Sequence, residues 1–205
     1  MNGQGYLLAV AAAGAMLVVG SAAAQDVAPL AAYGALPAHE LVEVSPSGDR
    51  LAYVTVIGEE RALVINDLND MSLIGGVRAG PVKVRDLGWV GEGHVYVYST
   101  ATQVGASIGL RRSELADASI YQIEPRQVSL ALNNTPGVFA KVFGAPLVRT
   151  INGEPSLIVV GQGREGAGLY RINLATGIGR EHVDPDRRGP PSLLDIDGQP
   201  VARVT

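Results

Sequence analysis

Ser45-Pro46-Ser47-Gly48-Asp49-Arg50-Leu51-Ala52-Tyr53-Val54 reads as a tight turn feeding a strand. Pro46 presets φ for the second position of a β-turn. Gly48 supplies a backbone position at which φ > 0 costs nothing. Leu41–Val44 before the turn and Leu51–Ile57 after it are rich in Val, Ile, Leu, Tyr and Thr, so the unit predicts a β-hairpin.

The unit recurs. Turn glycines stand at Gly48, Gly93, Gly153 and Gly198, with spacings of 45, 60 and 45 residues. Around the later three lie Trp89 to Val97, Ile151 to Val159 and Asp195 to Ala202. A second kind of hairpin alternates with the first. Leu63 to Asp70 leads into Met71–Val77, Ile120 to Glu124 into Val128–Leu132, and Leu169 to Gly177 into Ile178–Val183. Each is a short apolar strand, an Asx, Gly or Pro turn, and an outer strand of mixed polarity, as expected of an edge facing water. A period of roughly 40–50 residues with four strands per period is the pattern of β-propeller blades. The fold class read from the sequence is therefore all-β. It is a partial β-propeller of about three and a half four-stranded antiparallel blades after an N-terminal signal helix. The blades fall at residues 41–77, 84–132 and 138–183, with a half blade at 191–205. Leu51–Ile57, Val95–Tyr98 and Leu157–Val160 are the expected buried strands, apolar on both faces because neighbouring blades cover them. One segment, Leu110–Ala118, reads as helical within the longest insertion, Ala101–Ser119.

Composition narrows the function classes. With 205 residues, 47% hydrophobic, the chain is long enough for one sizeable core. A formal charge of -4 with no basic stripe argues against nucleic acid as a partner, and 5% aromatic residues leave few stacking platforms. The lack of cysteine excludes disulfides, thiolate metal sites, a Cys nucleophile and a lipidated cysteine.

Leu7–Ala24 is an apolar, Ala-rich run, and Ala22 and Ala24 form an A-x-A-like cleavage site before Gln25. Residues 1–24 are read as a secretory signal peptide, which places the mature chain in the periplasm or outside the cell, free of the membrane after cleavage. The run Met1–Tyr6 lacks the usual Lys or Arg. The alternative is an uncleaved anchor, since 18 apolar residues just span a bilayer. Residues 25–40, bracketed by Pro29 and Pro37, are read as a linker.

Several motifs touch on chemistry, and each has a plainer reading. Gly105-Ala106-Ser107-Ile108-Gly109 matches the G-x-S-x-G nucleophile elbow, but Ala101–Val104 separates it from the preceding strand and no crossover helices are visible. Ser107→Ala is expected to leave any hydrolysis unchanged. Gly161-Gln162-Gly163-Arg164-Glu165-Gly166 matches G-x-G-x-x-G, yet it runs into a strand rather than a helix, so a flexible hairpin connection is expected. His39, His94 and His182 lack metal-ligand spacing and are read as exposed singles. Asp195-Ile196-Asp197-Gly198 starts like a calcium loop but is better explained as an Asp-Gly turn. Asp184 to Arg188 is read as a charged connection, and Arg111-Arg112 with Glu114 as a solvated helix end or a ligand-contacting loop. No catalytic, cofactor-binding or metal-ligating residue is assigned.

Tyr33 to Pro37, then Val42-Glu43-Val44-Ser45-Pro46-Ser47-Gly48-Asp49-Arg50-Leu51-Ala52-Tyr53, resembles the start of the propeller domain in exported bacterial serine peptidases of the prolyl oligopeptidase family. Val64 to Leu68, Val84 to Trp89 and Leu169 to Gly177 fit the same blade pattern, so the resemblance runs from Tyr33 onward. It implies a substrate-filtering propeller followed by an α/β-hydrolase domain with a Ser-Asp-His triad. This sequence reads as ending within the fourth blade, so no catalytic residue carries over. The expected function is the non-catalytic, substrate-gating propeller portion of such a peptidase. The alternative is a non-catalytic periplasmic module that binds a peptide or protein. Expected partners are peptides or a peptidase catalytic domain. Self-association is expected through open blade faces carrying Val54, Val56, Val201 and Val204.

Overall fold

The computed structural model describes residues 38–58, 60–105, 110–182 and 192–203, all within the unit Leu36–Thr205. The expected signal segment and most of the expected linker lie outside the described residues. Every regular element among the described residues is a strand, and every pairing is antiparallel.

The first meander is β1 (His39–Val44), β2 (Arg50–Ile57), β3 (Glu60–Asp67) and β4 (Leu73–Gly80), paired in that order. The second is β5 (Lys83–Val90), β6 (His94–Gly105), β7 (Leu110–Gln122) and β8 (Gln127–Leu130). Then come β9 (Val138–Val142), β10 (Leu147–Ile151), β11 (Glu154–Gly163), β12 (Gly166–Ile172) and β13 (Gly179–Glu181). A hairpin of β14 (Ser192–Leu194) and β15 (Pro200–Arg203) follows. The ten-residue β11 is long enough to pair with two strands along one side. Its first half takes β10 and its last residues take β9. β9 also touches β7 through Ala116↔Val142, which joins the second and third meanders into one nine-stranded sheet.

Turn chemistry sets these hairpins. Between β10 and β11 the two-residue turn is Asn152-Gly153, with φ of 53° and 80°. Two positive φ values match the right-handed twist of the flanking strands, and Asn-Gly adopts them at least cost. At the β5–β6 turn the positive φ belongs to Gly91 rather than Gly93, because that loop has three residues instead of two.

Side chains alternate faces along a strand, so a strand with apolar residues throughout serves two cores. In β6, Val95 and Val97 pack toward the first meander with Ala52, Val54, Leu63 and Ile65. Tyr96, between them, packs toward the third meander with Leu157 and Val159. In β11, Ile158 turns the other way and joins Ile151, Leu169 and Leu194 of the C-terminal hairpin. Each meander thus lies face to face with the next.

Several hydrogen bonds cross these seams at a recurring sequence separation, beside others such as Arg126 to the Ile74 carbonyl at 52 residues. The Glu92 carboxylate accepts from the Ser47 N–H, the Trp89 indole donates to the Glu43 carbonyl, and the Gly76 N–H donates to the Tyr121 hydroxyl. At the next seam Ser129 donates to the Leu174 carbonyl and the Gly179 N–H donates to Thr135. Arg149 reaches the Leu194 carbonyl at the last seam. All six pairs are 44 to 46 residues apart.

Three sequence expectations change. Leu110–Ala118 is not helical: it belongs to β7, which pairs with β6 from Leu110 to Gln122. Its Leu, Arg, Glu and Ala are good helix formers, but Ala101–Gly105 of β6 would lose its backbone partners without it, and the ladder overrides propensity. Leu51–Ile57 is not buried on both faces. Ala52 and Val54 are buried, whereas Leu51, Tyr53 and Thr55 are half-buried and Ile57 is exposed. Val54 therefore does not belong to an open face: it is buried against the second meander, with Val56 half-buried beside it. Val201 is exposed and Val204 lies outside the described residues.

Candidate functional site

A recess is built on the β11–β12 hairpin. The pair Gly163↔Gly166 closes that hairpin, leaving Arg164 and Glu165 at its tip. The G-x-G-x-x-G run is therefore a hairpin connection, as expected, with a two-residue turn between paired strands, and not the entry to a helix. Gly161 and Gly163, with Gly179 of β13, make room for a ring. A Cβ on Gly161 would lie 2.9 Å from the Tyr170 ring, one on Gly163 would lie 2.7 Å from its hydroxyl, and one on Gly179 would lie 3.3 Å from its Cβ. Tyr170 fills the space those missing side chains leave and is 8% exposed.

Beside Tyr170 is a cavity of about 470 Å³. Gly163 to Tyr170 form one wall, Thr135 to Val138 another, and Gly179, Glu181 and His182 complete it. That size falls in the range of small-ligand sites. The lining brings together a guanidinium (Arg164), two carboxylates (Glu165 and Glu181), an imidazole and an aromatic floor. Thr135 and His182 of the lining are held by backbone groups. The Thr135 hydroxyl accepts from the Gly179 N–H at 2.8 Å. His182 Nε2 lies 2.7 Å from the Gly198 carbonyl, which can only accept, so Nε2 carries the proton. The arrangement suits recognition of a polar, hydrogen-bonding ligand by charge and shape.

A second polar cluster sits on the β5–β6–β7 surface. Glu114 accepts from the Thr100 hydroxyl at 2.7 Å, from Arg85 at 2.9 Å and from Lys83 at 3.3 Å. The Thr100 bond first, then the two cations, hold its carboxyl down at about 2. Glu114 is thus part of a strand-surface ion cluster, not of a helix end, and Arg112 is exposed nearby on β7. Where β9 meets β7, Lys141 spans both Asp117 carboxylate oxygens at 2.8 Å. Inside the second core, the Tyr96 hydroxyl donates to Asp86 at 2.8 Å. Burial first, and that bond second, push the phenol above its ordinary value.

The remaining sequence candidates do not converge. Gly105 ends β6 and pairs with Leu110, so G-x-S-x-G spans a strand-to-strand connection, while Ser107 itself lies outside the described residues. His39 is exposed and packs edge-on to Tyr53. His94 and His182 are half-buried rather than exposed, and burial pulls the His94 imidazole below its ordinary value. Asp195 Oδ1 accepts from the N–H groups of Asp197 and Gln199, so this carboxylate shapes its own turn. Asp184 to Arg188 lies outside the described residues. Among the described residues no group of three or more His, Asp or Glu could hold a metal ion. Sequence reasoning missed the cavity and the Glu114 cluster, because both join residues from separate strands. The alternation of Lys83 and Arg85 on one face of β5 was the one available signal for the latter.

No protein-family model matches the chain, and no curated protein matches it. A solved structure it partly resembles is the hydrazine synthase of Kuenenia stuttgartiensis, at 15% identity and a TM-score of 0.43. The match covers 63% of this chain and 39% of that one.

Proposed function

We propose that this chain is a non-catalytic stretch of β-propeller, three four-stranded blades and the opening hairpin of a fourth. Its role is to select peptides for an exported serine peptidase of the prolyl oligopeptidase type. The observation that carries the propeller reading is the stacking of successive meanders through shared cores, with seam hydrogen bonds that recur at 44 to 46 residues. The peptidase assignment rests on the Ser45 to Tyr53 element and the strands that follow it. A role in binding rather than chemistry is supported by the commitments of the candidate groups. His182 is held by a carbonyl and Thr135 by a backbone N–H, while His39 lies apart on β1. The cavity beside Tyr170 offers Arg164 to a peptide carboxylate or carbonyl.

The test is made on the purified chain. Dye-labelled, proline-containing peptides are titrated by fluorescence anisotropy, alongside a fluorophosphonate probe and a hydrolysis assay. Saturable binding that weakens in Arg164→Ala, without serine labelling or turnover, is expected. Labelling of a serine, turnover, or absence of peptide binding refutes the proposal.

A further inference from the structure

The outer strand of the first meander carries no side chain at Gly75-Gly76, and packing demands both glycines. A Cβ at 75 would lie 2.5 Å from the Tyr121 hydroxyl, and one at 76 would strike the Leu63 carbonyl oxygen. Both glycines line a second recess, of about 440 Å³, between β4 and the start of β8. Its size is that of a small-ligand site. Buried Leu63 and Tyr121 lie at its base, and Leu73, Ile74, Val77 and Val128 add an apolar lining. Leu73 is 69% exposed and Val128 47%. Single exposed aliphatic residues are ordinary, but two that line one recess mark a contact surface.

The same recess is cationic. Arg78 and Arg126 line it, both are exposed, and no carboxylate stands among the described residues of the lining. Arg126 gives one Nη2 donor to the Ile74 carbonyl at 2.9 Å. Arg78 donates to Glu60 at 3.1 Å in an exposed ion pair, of the kind that contributes little and yields to a competing anion. Strand addition is blocked at this point. β4 is the edge of its sheet, where an extended peptide would pair. Yet the Ile74 carbonyl is taken by Arg126, and the Gly76 N–H by the Tyr121 hydroxyl. The recess therefore recognises an apolar body with an anionic head rather than a backbone. The geometry points to a binding site for a medium-chain aliphatic carboxylate, its tail against Leu73 and Val128 and its headgroup against Arg78 and Arg126. Burial of the tail supplies affinity, and the guanidinium fork matches the two carboxylate oxygens. The inference does not rest on the peptidase reading.

Titration of the nitrogen-labelled full chain with octanoate, followed by amide chemical shifts in NMR, tests it. Saturable shifts centred on Leu73 to Arg78 and Arg126 to Val128 are expected, weakening with added salt. Octanol should move the same amides with lower affinity and without salt dependence, and acetate should move none. Arg78→Gln and Arg126→Gln should each weaken octanoate about threefold to tenfold and leave octanol unchanged. Leu73→Gln, at an exposed position, should weaken both about tenfold. Amides far from the recess report that each variant keeps its fold. Absence of saturable shifts, shifts centred on another surface, octanol binding as tightly as octanoate, or octanoate affinity unchanged in both arginine variants overturns the inference.

Discussion

Gly75→Ala probes the seam between the first two meanders. Gly75 lies on β4, and a Cβ built there falls 2.5 Å from the Tyr121 hydroxyl oxygen and 3.3 Å from Cζ. Tyr121 cannot simply swing aside. It is 3% exposed, and its hydroxyl accepts the Gly76 N–H at 3.2 Å. Alanine reduces backbone freedom in the unfolded chain and so contributes about 0.4–1 kcal/mol of stability. Overpacking costs about 1–3 kcal/mol, and displacing the hydroxyl forfeits a further ~1 kcal/mol. The net expectation is a loss of roughly 1–3 kcal/mol, read as a lower urea midpoint at unchanged slope. Tyr121→Phe alone should cost about 1 kcal/mol through the lost acceptor. Combined, the two should cost clearly less than the sum of the singles. With the oxygen gone, the nearest ring atom is 3.3 Å from the new methyl and need shift only slightly. Neutral Gly75→Ala, or additivity of the two changes, would refute the close approach of β4 and Tyr121.

Three further outcomes are expected. Leu157→Ala, at a fully buried position of the second seam, should lose about 2–5 kcal/mol in the same urea assay. Gly177→Ala should lose roughly 2–4 kcal/mol, because φ is 76° and a Cβ would strike the Leu130 carbonyl oxygen, so backbone strain and overpacking add. Glu114 should titrate near 2 by carboxyl NMR, against an ordinary value of 4.5, and rise with added salt because the cluster is exposed. Since its folded value is the lower one, its stabilising effect is complete above about 4.5 and fades as pH falls toward 2. Glu114→Gln should remove that part of the pH dependence.

Much of the strand pattern was legible because it is local. Asn152-Gly153 and Ser45 to Arg50 announce their turns, and the apolar runs Val95–Tyr98 and Leu157–Val160 follow from burial on two sides. Leu110–Ala118 misled because its composition favours a helix, while its conformation is decided by Ala101–Gly105 across the hairpin. The face carrying Val54 was misplaced for a related reason. Leu51–Ile57 is apolar at nearly every position, so alternation alone does not say which residues meet the second meander. The candidate site was less legible still. Its walls come from the Thr135 loop, the Arg164 turn and the end of β13, and only folding brings them together. Gly161 and Gly163 were visible, but their reason, the Tyr170 ring, lies on the neighbouring strand.

The splice made by β9 divides the protein by how its parts can come loose. β7, β9 and β11 share one ladder, so the second and third meanders must break backbone bonds to separate. β1–β4 form a sheet of their own, linked to the second meander through buried side chains and side-chain hydrogen bonds such as that of Trp89. Native-state amide exchange should therefore sort the chain into two cooperative units. β5–β13 should exchange together, near the free energy of global unfolding. β1–β4 should open alone and sooner, its own ladder breaking without disturbing the remainder.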